Sequence, residues 1–148
     1  MYRTHRCNEI REAHIGQVIE LAGWVDVIRD HGGVLFVDLR DETGVTQVVV
    51  HNEELLKNVN RETVISVTGT VEKRTAAVNE NLKTGDIEII ATDIRVLSES
   101  ETPPFQIEEN SQTKDEIRLK YRYLDLRRPD IQKNLMLRSK VTYLMRDF

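Results

Sequence analysis

Three side chains, Arg29, Phe36 and Gln47, are of the types that can bind a nucleobase. An aromatic ring offers a face for stacking, an amide offers a paired donor and acceptor to a base edge, and a guanidinium offers a planar fork of donors. Each also has an ordinary reading. Phe36 can be a cross-strand contact, Gln47 a solvated amide within the valine-rich run Val45–Val50, and most surface arginines bind nothing. Trp24 reads in the first place as a large core residue. Catalytic groupings are not evident. Histidines 5, 14, 31 and 51 do not share the spacing of a metal site, and Cys7 is the sole cysteine, so no disulfide framework or thiolate cluster is available. No phosphate-cradling glycine loop and no nucleophile–base set appears.

The whole chain sets the frame for those residues. At 148 residues, 39% hydrophobic and 31% charged, it has room for one globular domain with an appendage. No apolar run approaches the roughly 20 residues that span a bilayer, and the N-terminus lacks the apolar stretch of a secretory signal, so a cytoplasmic protein is expected. The net charge of −4 argues against a binder that grips nucleic acid through a broad positive field. Charge is uneven, however. Residues 1–100 carry 11 Lys/Arg against 17 Asp/Glu, and residues 118–148 carry 9 against 3. An acidic body with a basic tail suits a few directed contacts to RNA, although charge also varies along any chain.

Those candidates need elements to hold them. Gln17–Arg29 is β-rich and too long for one flat strand unless it bends, and Gly23 is a natural place to bend. Asp30-His31-Gly32-Gly33 reads as a tight turn, Val34–Leu39 as a second strand, Asp41-Glu42-Thr43-Gly44 as a turn and Val45–His51 as a third strand. Asn52–Asn60 changes period. Leu55, Leu56 and Val59 mark one face of a short helix that Asn52 can cap, with Glu53 and Glu54 at its positive end. Val64–Arg74 and Asp86–Ser98 are two more strands joined by the polar loop Thr75–Gly85. Five strands with a short helix between the third and fourth predict an all-β, five-stranded OB-fold Greek-key barrel, with an open meander as the structural alternative. If Leu35, Val37 and Leu39 face the core, alternation sends Phe36 to the outer face with Asp38.

The barrel is expected over residues 1–100, a linker and hinge over 101–129, and a C-terminal helix over 130–148. Pro103-Pro104 opens the polar linker. The hinge contains Lys120–Pro129, KYRYLDLRRP, which packs two tyrosines, two leucines and four basic side chains around Asp125. After Pro129, Leu137, Val141, Leu144 and Phe148 recur at helical spacing, one apolar face that calls for a cover.

The hinge sequence resembles that of bacterial aspartyl-tRNA synthetases, which are class II enzymes. An ordered set of pieces extends the resemblance: GWV at Gly23–Val25, RDHGG at Arg29–Gly33, LFVDLRDETGVTQVV at Leu35–Val49, VTGTV at Val67–Val71, NENLKTGDIEI at Asn79–Ile89 and IRLKYRYLDLRRP from Ile117. It implies the anticodon-binding, N-terminal part of an aspartate–tRNA ligase. The parent would form aspartyl-adenylate from ATP, with magnesium, and pass the aspartate to the tRNA. This chain would lack the catalytic site and need no cofactor of its own.

The resemblance also implies roles. Phe36 would stack on the middle anticodon base, a uracil, with Arg29 and Gln47 at its edges. Arg74 and Asn79 would lie near the third base, a cytosine, with Asn81 the fallback for Asn79, and Glu88 near the first, a guanine or its modified form. His31, with the small residues Ala76 and Ala77, would loosen third-base selection, so that the asparagine tRNA is charged as well as the aspartate tRNA; the ordinary reading of His31 is a turn residue without a role. The parent is expected to be a homodimer. A free-standing OB-fold that binds single-stranded nucleic acid is the alternative function.

Overall fold

A computed structural model describes residues 2–148, which form two compact units that divide between Thr102 and Pro103. The first is a closed five-stranded barrel of β1 (Val18–Asp30), β2 (Leu35–Arg40), β3 (Val45–Val50), β4 (Val64–Lys73) and β5 (Ile87–Ser98), in the order β1-β2-β3-β5-β4. Closure rests on the long first strand. Residues 18–24 pair with β4 and residues 24–30 with β2, so the change of partner falls at Trp24. Gly23 sits there because a Cβ would lie 2.4 Å from the carbonyl oxygen of Arg40. The bulge that bends the strand falls slightly later, between Val25 and Val27. Only β3 and β5 run parallel, through Val48↔Ile89 and Val49↔Ile90.

Alternation fills the barrel. Leu21, Val25, Val37, Leu39, Val48, Val50, Ile65, Val67, Val71, Ile87 and Ile89 are fully buried. Each such side chain contributes about 1.5–3 kcal/mol over an exposed one. The helix expected after β3 is a single 3-10 turn, Glu53–Leu56, with the Asn52 side chain accepting from the Glu54 amide. It stops early because Asn58 takes a left-handed φ of 62°. The β1–β2 turn needs Gly32 and Gly33 at φ of 68° and 96°.

Residues 103–148 contain three helices, α1 (Asp115–Lys120), α2 (Arg122–Asp125) and α3 (Pro129–Asp147), the last with proline at its first position. The two short helices within the hinge were not expected from sequence. Asp125 is wholly buried and is bound by Arg118 (Nε–Oδ1 3.0 Å), Arg128 (Nη1–Oδ1 3.1 Å) and Arg122. Burial raises its pKa, but the hydrogen bonds from Arg118 and Arg128 and the charges of Arg118 and Arg122 outweigh this and hold it below the ordinary carboxylate value. Along α3 the expected stripe Leu137, Val141, Leu144 and Phe148 is exposed, and so are Leu135, Met136, Tyr143 and Met145. The helix is therefore apolar over more of its circumference than a single stripe. No helix of the described residues is long and apolar enough to cross a membrane.

Candidate nucleic-acid interface

The outer surface of β1, β2 and β3 gathers the residues that sequence singled out. Phe36 lies opposite Arg29 on one side and Val49 on the other, and Asp38 lies opposite Gln47. These positions alternate with buried Val37, Leu39 and Val48, so the ring of Phe36 is carried on the face away from the core. Arg29, His31, Phe36, Gln47, Arg74, Ala76 and Asn79 line one cleft of about 540 Å³. An adjoining cleft of about 470 Å³ shares His31 and Phe36 and adds Val34, Val49, His51, Glu72, Thr75, Glu88 and Ile90. All seven sequence-derived site residues thus border one continuous face.

Several of them are held in place. Arg29 makes a two-pronged pair with Asp38, at 2.7 Å for both Nη1–Oδ2 and Nη2–Oδ1, which fixes the plane of its guanidinium beside Phe36. The His31 ring meets Phe36 edge to face, with centroids 5.3 Å apart and planes at 88°. Gln47 is not the solvated amide that its place in a valine strand allowed. It is 3% exposed, and its Nε2 donates to Glu88 Oε2 at 3.1 Å. Glu88, 2% exposed, accepts on Oε1 from the Thr75 amide at 3.3 Å and the Thr75 hydroxyl at 3.2 Å.

The two sides of the β4–β5 loop are joined by Arg74 N–H to Asp86 O (3.0 Å) and Asn79 N–H to Gly85 O (3.1 Å), and Arg74, Ala76 and Asn79 line the cleft. Asn79 lines the cleft and Asn81 is not among its lining residues. Nε and Nη1 of Arg74 are shielded from solvent and have no hydrogen-bond partner among the described residues. Donors of that kind at a cleft wall suit an acceptor brought by a ligand. Sequence reasoning did not single out Thr75, His51 and Glu72. Strand alternation put Asp38 on the face of Phe36, but not its pairing with Arg29. Thr75 is visible only once β5 lies next to β3.

A closed five-stranded barrel carrying an aromatic ring, an amide and two guanidiniums on its outer face is the architecture of an oligonucleotide-binding fold. The family model for the OB-fold nucleic acid binding domain matches residues 19–97, and the chain belongs to that family. A second model, for class II tRNA synthetases (D, K and N), matches residues 114–148.

Among curated relatives the chain is 59% identical to the aspartate–tRNA ligase of Agathobacter rectalis and 52% identical to the aspartate–tRNA(Asp/Asn) ligase of Lachnoclostridium phytofermentans. Both matches take in 100% of this chain and 26% of the relative, so the chain spans about a quarter of the length of these proteins, their N-terminal part. Among solved structures, asparaginyl-tRNA synthetase from Pyrococcus horikoshii is similar at a TM-score of 0.74 and 27% identity, over 99% of this chain and 36% of that one. Aspartyl-tRNA synthetase from Entamoeba histolytica shares the fold at a TM-score of 0.80 and 22% identity, over 93% of this chain and 35% of that one. Nothing in these comparisons favours a free-standing module.

Proposed function

We propose that this chain is the anticodon-reading part of a bacterial aspartate–tRNA ligase. The observation that carries the reading is the convergence of Arg29, Phe36, Gln47, Arg74 and Asn79 on one cleft, in a chain similar over its whole length to such ligases. Phe36 stacks on the middle base, a uracil, and Arg29 and Gln47 meet its edge. Arg74 and Asn79 serve the third base, a cytosine. The adjoining cleft walled by Glu88, His51 and Glu72 takes the first base, a purine. The parent activity is aspartylation of tRNA through an aspartyl-adenylate in a homodimeric, cytoplasmic enzyme. It uses ATP with magnesium, and no residue of this chain is assigned to either. Residues 1–100 act as the reading domain, 101–129 as linker and hinge, and 130–148 as the first helix of the catalytic part.

The test is titration of the chain with RNA hairpins carrying the anticodon loops for aspartate, for asparagine and for an unrelated amino acid. The aspartate hairpin binds well above the unrelated one. Phe36→Ala and Gln47→Ala each weaken it about tenfold or more, since one stack or one good base contact is worth roughly 1–3 kcal/mol. Equal affinity for all hairpins, unmoved by both substitutions, removes the anticodon reading.

A further inference from the structure

Glu88 lies at the edge of the proposed reading site yet is almost inaccessible, and both its oxygens are engaged inside the protein. We propose that Glu88 is a positioning residue that fixes which way round the Gln47 amide stands, and through it selects uracil over cytosine at the middle base. The inference rests on the reading of the Phe36 cleft given above.

The argument is one of donors and acceptors. A backbone amide can only donate, so Thr75 N–H, 3.3 Å from Glu88 Oε1, requires an acceptor there. A carboxylate has acceptors at both ends, so Oε2 also presents an acceptor, 3.1 Å from the amide end of Gln47. That end must therefore be the NH2, which places the carbonyl Oε1 of Gln47 on its other side. In the wall of the Phe36 cleft, a carbonyl so placed accepts from an imino N–H. Uracil has N3–H at its pairing edge, and cytosine has an acceptor at N3. In the chain Thr75–Glu88–Gln47 the orientation of the Gln47 amide is thus set by a carboxylate that accepts at both ends, one of them held by a peptide N–H that cannot be reversed.

Glu88→Gln turns this logic round with almost no change of shape. The Thr75 amide still requires a carbonyl at its end, so the new NH2 faces Gln47. Gln47 must then present its oxygen to it and its own NH2 to the base. A substitution that merely loosened the wall would weaken every hairpin alike, but this one changes the ratio between two.

The experiment is titration of the chain with hairpins that differ only in uracil or cytosine at the middle position. The wild type prefers uracil about tenfold. Glu88→Gln brings the ratio to about one or below it, Glu88→Asp keeps a uracil preference, and Glu88→Ala lowers the preference without inverting it. An unchanged ratio in Glu88→Gln, with Gln47→Ala still weakened, overturns the relay and leaves the site reading standing. A uracil preference that survives in Gln47→Ala also overturns the relay, whereas equal affinity for all hairpins, unmoved by Phe36→Ala and Gln47→Ala, removes the site reading as well. The wild type supplies a check that needs no substitution: a Gln47 Nε2 proton protected from solvent exchange in the free chain is expected, and rapid exchange of both protons overturns the proposal.

Discussion

Stacking on Phe36 can hold any base, because every base has an apolar face, so discrimination falls to the polar side chains around the ring. On the proposed reading, Arg74 is the clearest of these at the third base. Its donors complement the N3 and O2 acceptors of cytosine and oppose the N3–H of uracil, and its Nε and Nη1 have no hydrogen-bond partner among the described residues. On the same reading His31 works against that preference. Its ring packs on Phe36, it lines both clefts, and Ala76 beside it leaves space. An imidazole can donate or accept according to tautomer, so it can satisfy either pyrimidine. Leucine can satisfy neither and leaves selection to Arg74. The chain is therefore expected to bind hairpins ending in cytosine or uracil at the third position within about threefold of each other, and His31→Leu to widen the cytosine preference towards tenfold. Paired titrations of the two proteins with the two hairpins measure this, and an unchanged ratio leaves His31 as a turn residue. How Phe36 is displayed was legible in the sequence, since it follows from alternation with Val37 and Leu39. The tethers were not. Gln47 and Glu88 are 41 residues apart and meet only because β3 and β5 are neighbours in the closed barrel.

The same division runs through the elements. All five strands were legible from alternation and turn residues, with ends displaced by about one residue where turn hydrogen bonds such as His31 N–H to Val34 O decide the boundary. Gly23 was legible as a special position, but its cause was not, because the carbonyl it accommodates belongs to Arg40 on the next strand. The hinge was legible only as an unusual mixture. Its basic residues neighbour Asp125 in sequence, but one that binds it, Arg118, lies seven residues away, brought close by helical turns. Asp125 ties α1, α2 and the start of α3 together, and its depressed pKa gives the sign of the pH effect. Stability from such a group is fully present above its unfolded value near 3.9 and is lost as pH falls through the lower folded value. Asp125→Asn is expected to cost about 2 kcal/mol or more at pH 7, the scale of a single hydrogen bond to a charged group. The gap from wild type narrows as pH is lowered from 7 towards 3. Among the described residues α-helix occurs only within Asp115–Asp147, so thermal melting followed by circular dichroism at 222 nm reports on this unit. A difference independent of pH would show that Asp125 acts by shape and not by charge.

At the scale of the whole molecule, charge decides how RNA is held. Residues 1–100 carry a balance of 11 against 17, so this part of the chain is itself acidic and repels a phosphate backbone at long range. Two arginines border the Phe36 cleft, and one of them, Arg29, is already neutralised by Asp38. Affinity must then come mostly from stacking and base edges, with little release of counterions. For single-stranded nucleic acid the slope of log K against log salt is about −0.7 for each phosphate neutralised, so one or two such contacts give a slope between about −0.7 and −1.4. Binding of the aspartate hairpin is expected to fall by less than about tenfold between 50 and 200 mM salt. Residues 118–148 offer the contrary possibility, with 9 basic residues against 3 acidic. If they gripped the RNA, several phosphates would be neutralised and the slope would be steeper than about −3. A salt titration of the intact chain separates the two. A shallow slope that stays shallow in Arg74→Ala assigns that arginine to a base edge, whereas a loss of about 0.7 from the slope assigns it to a phosphate and removes it from third-base selection.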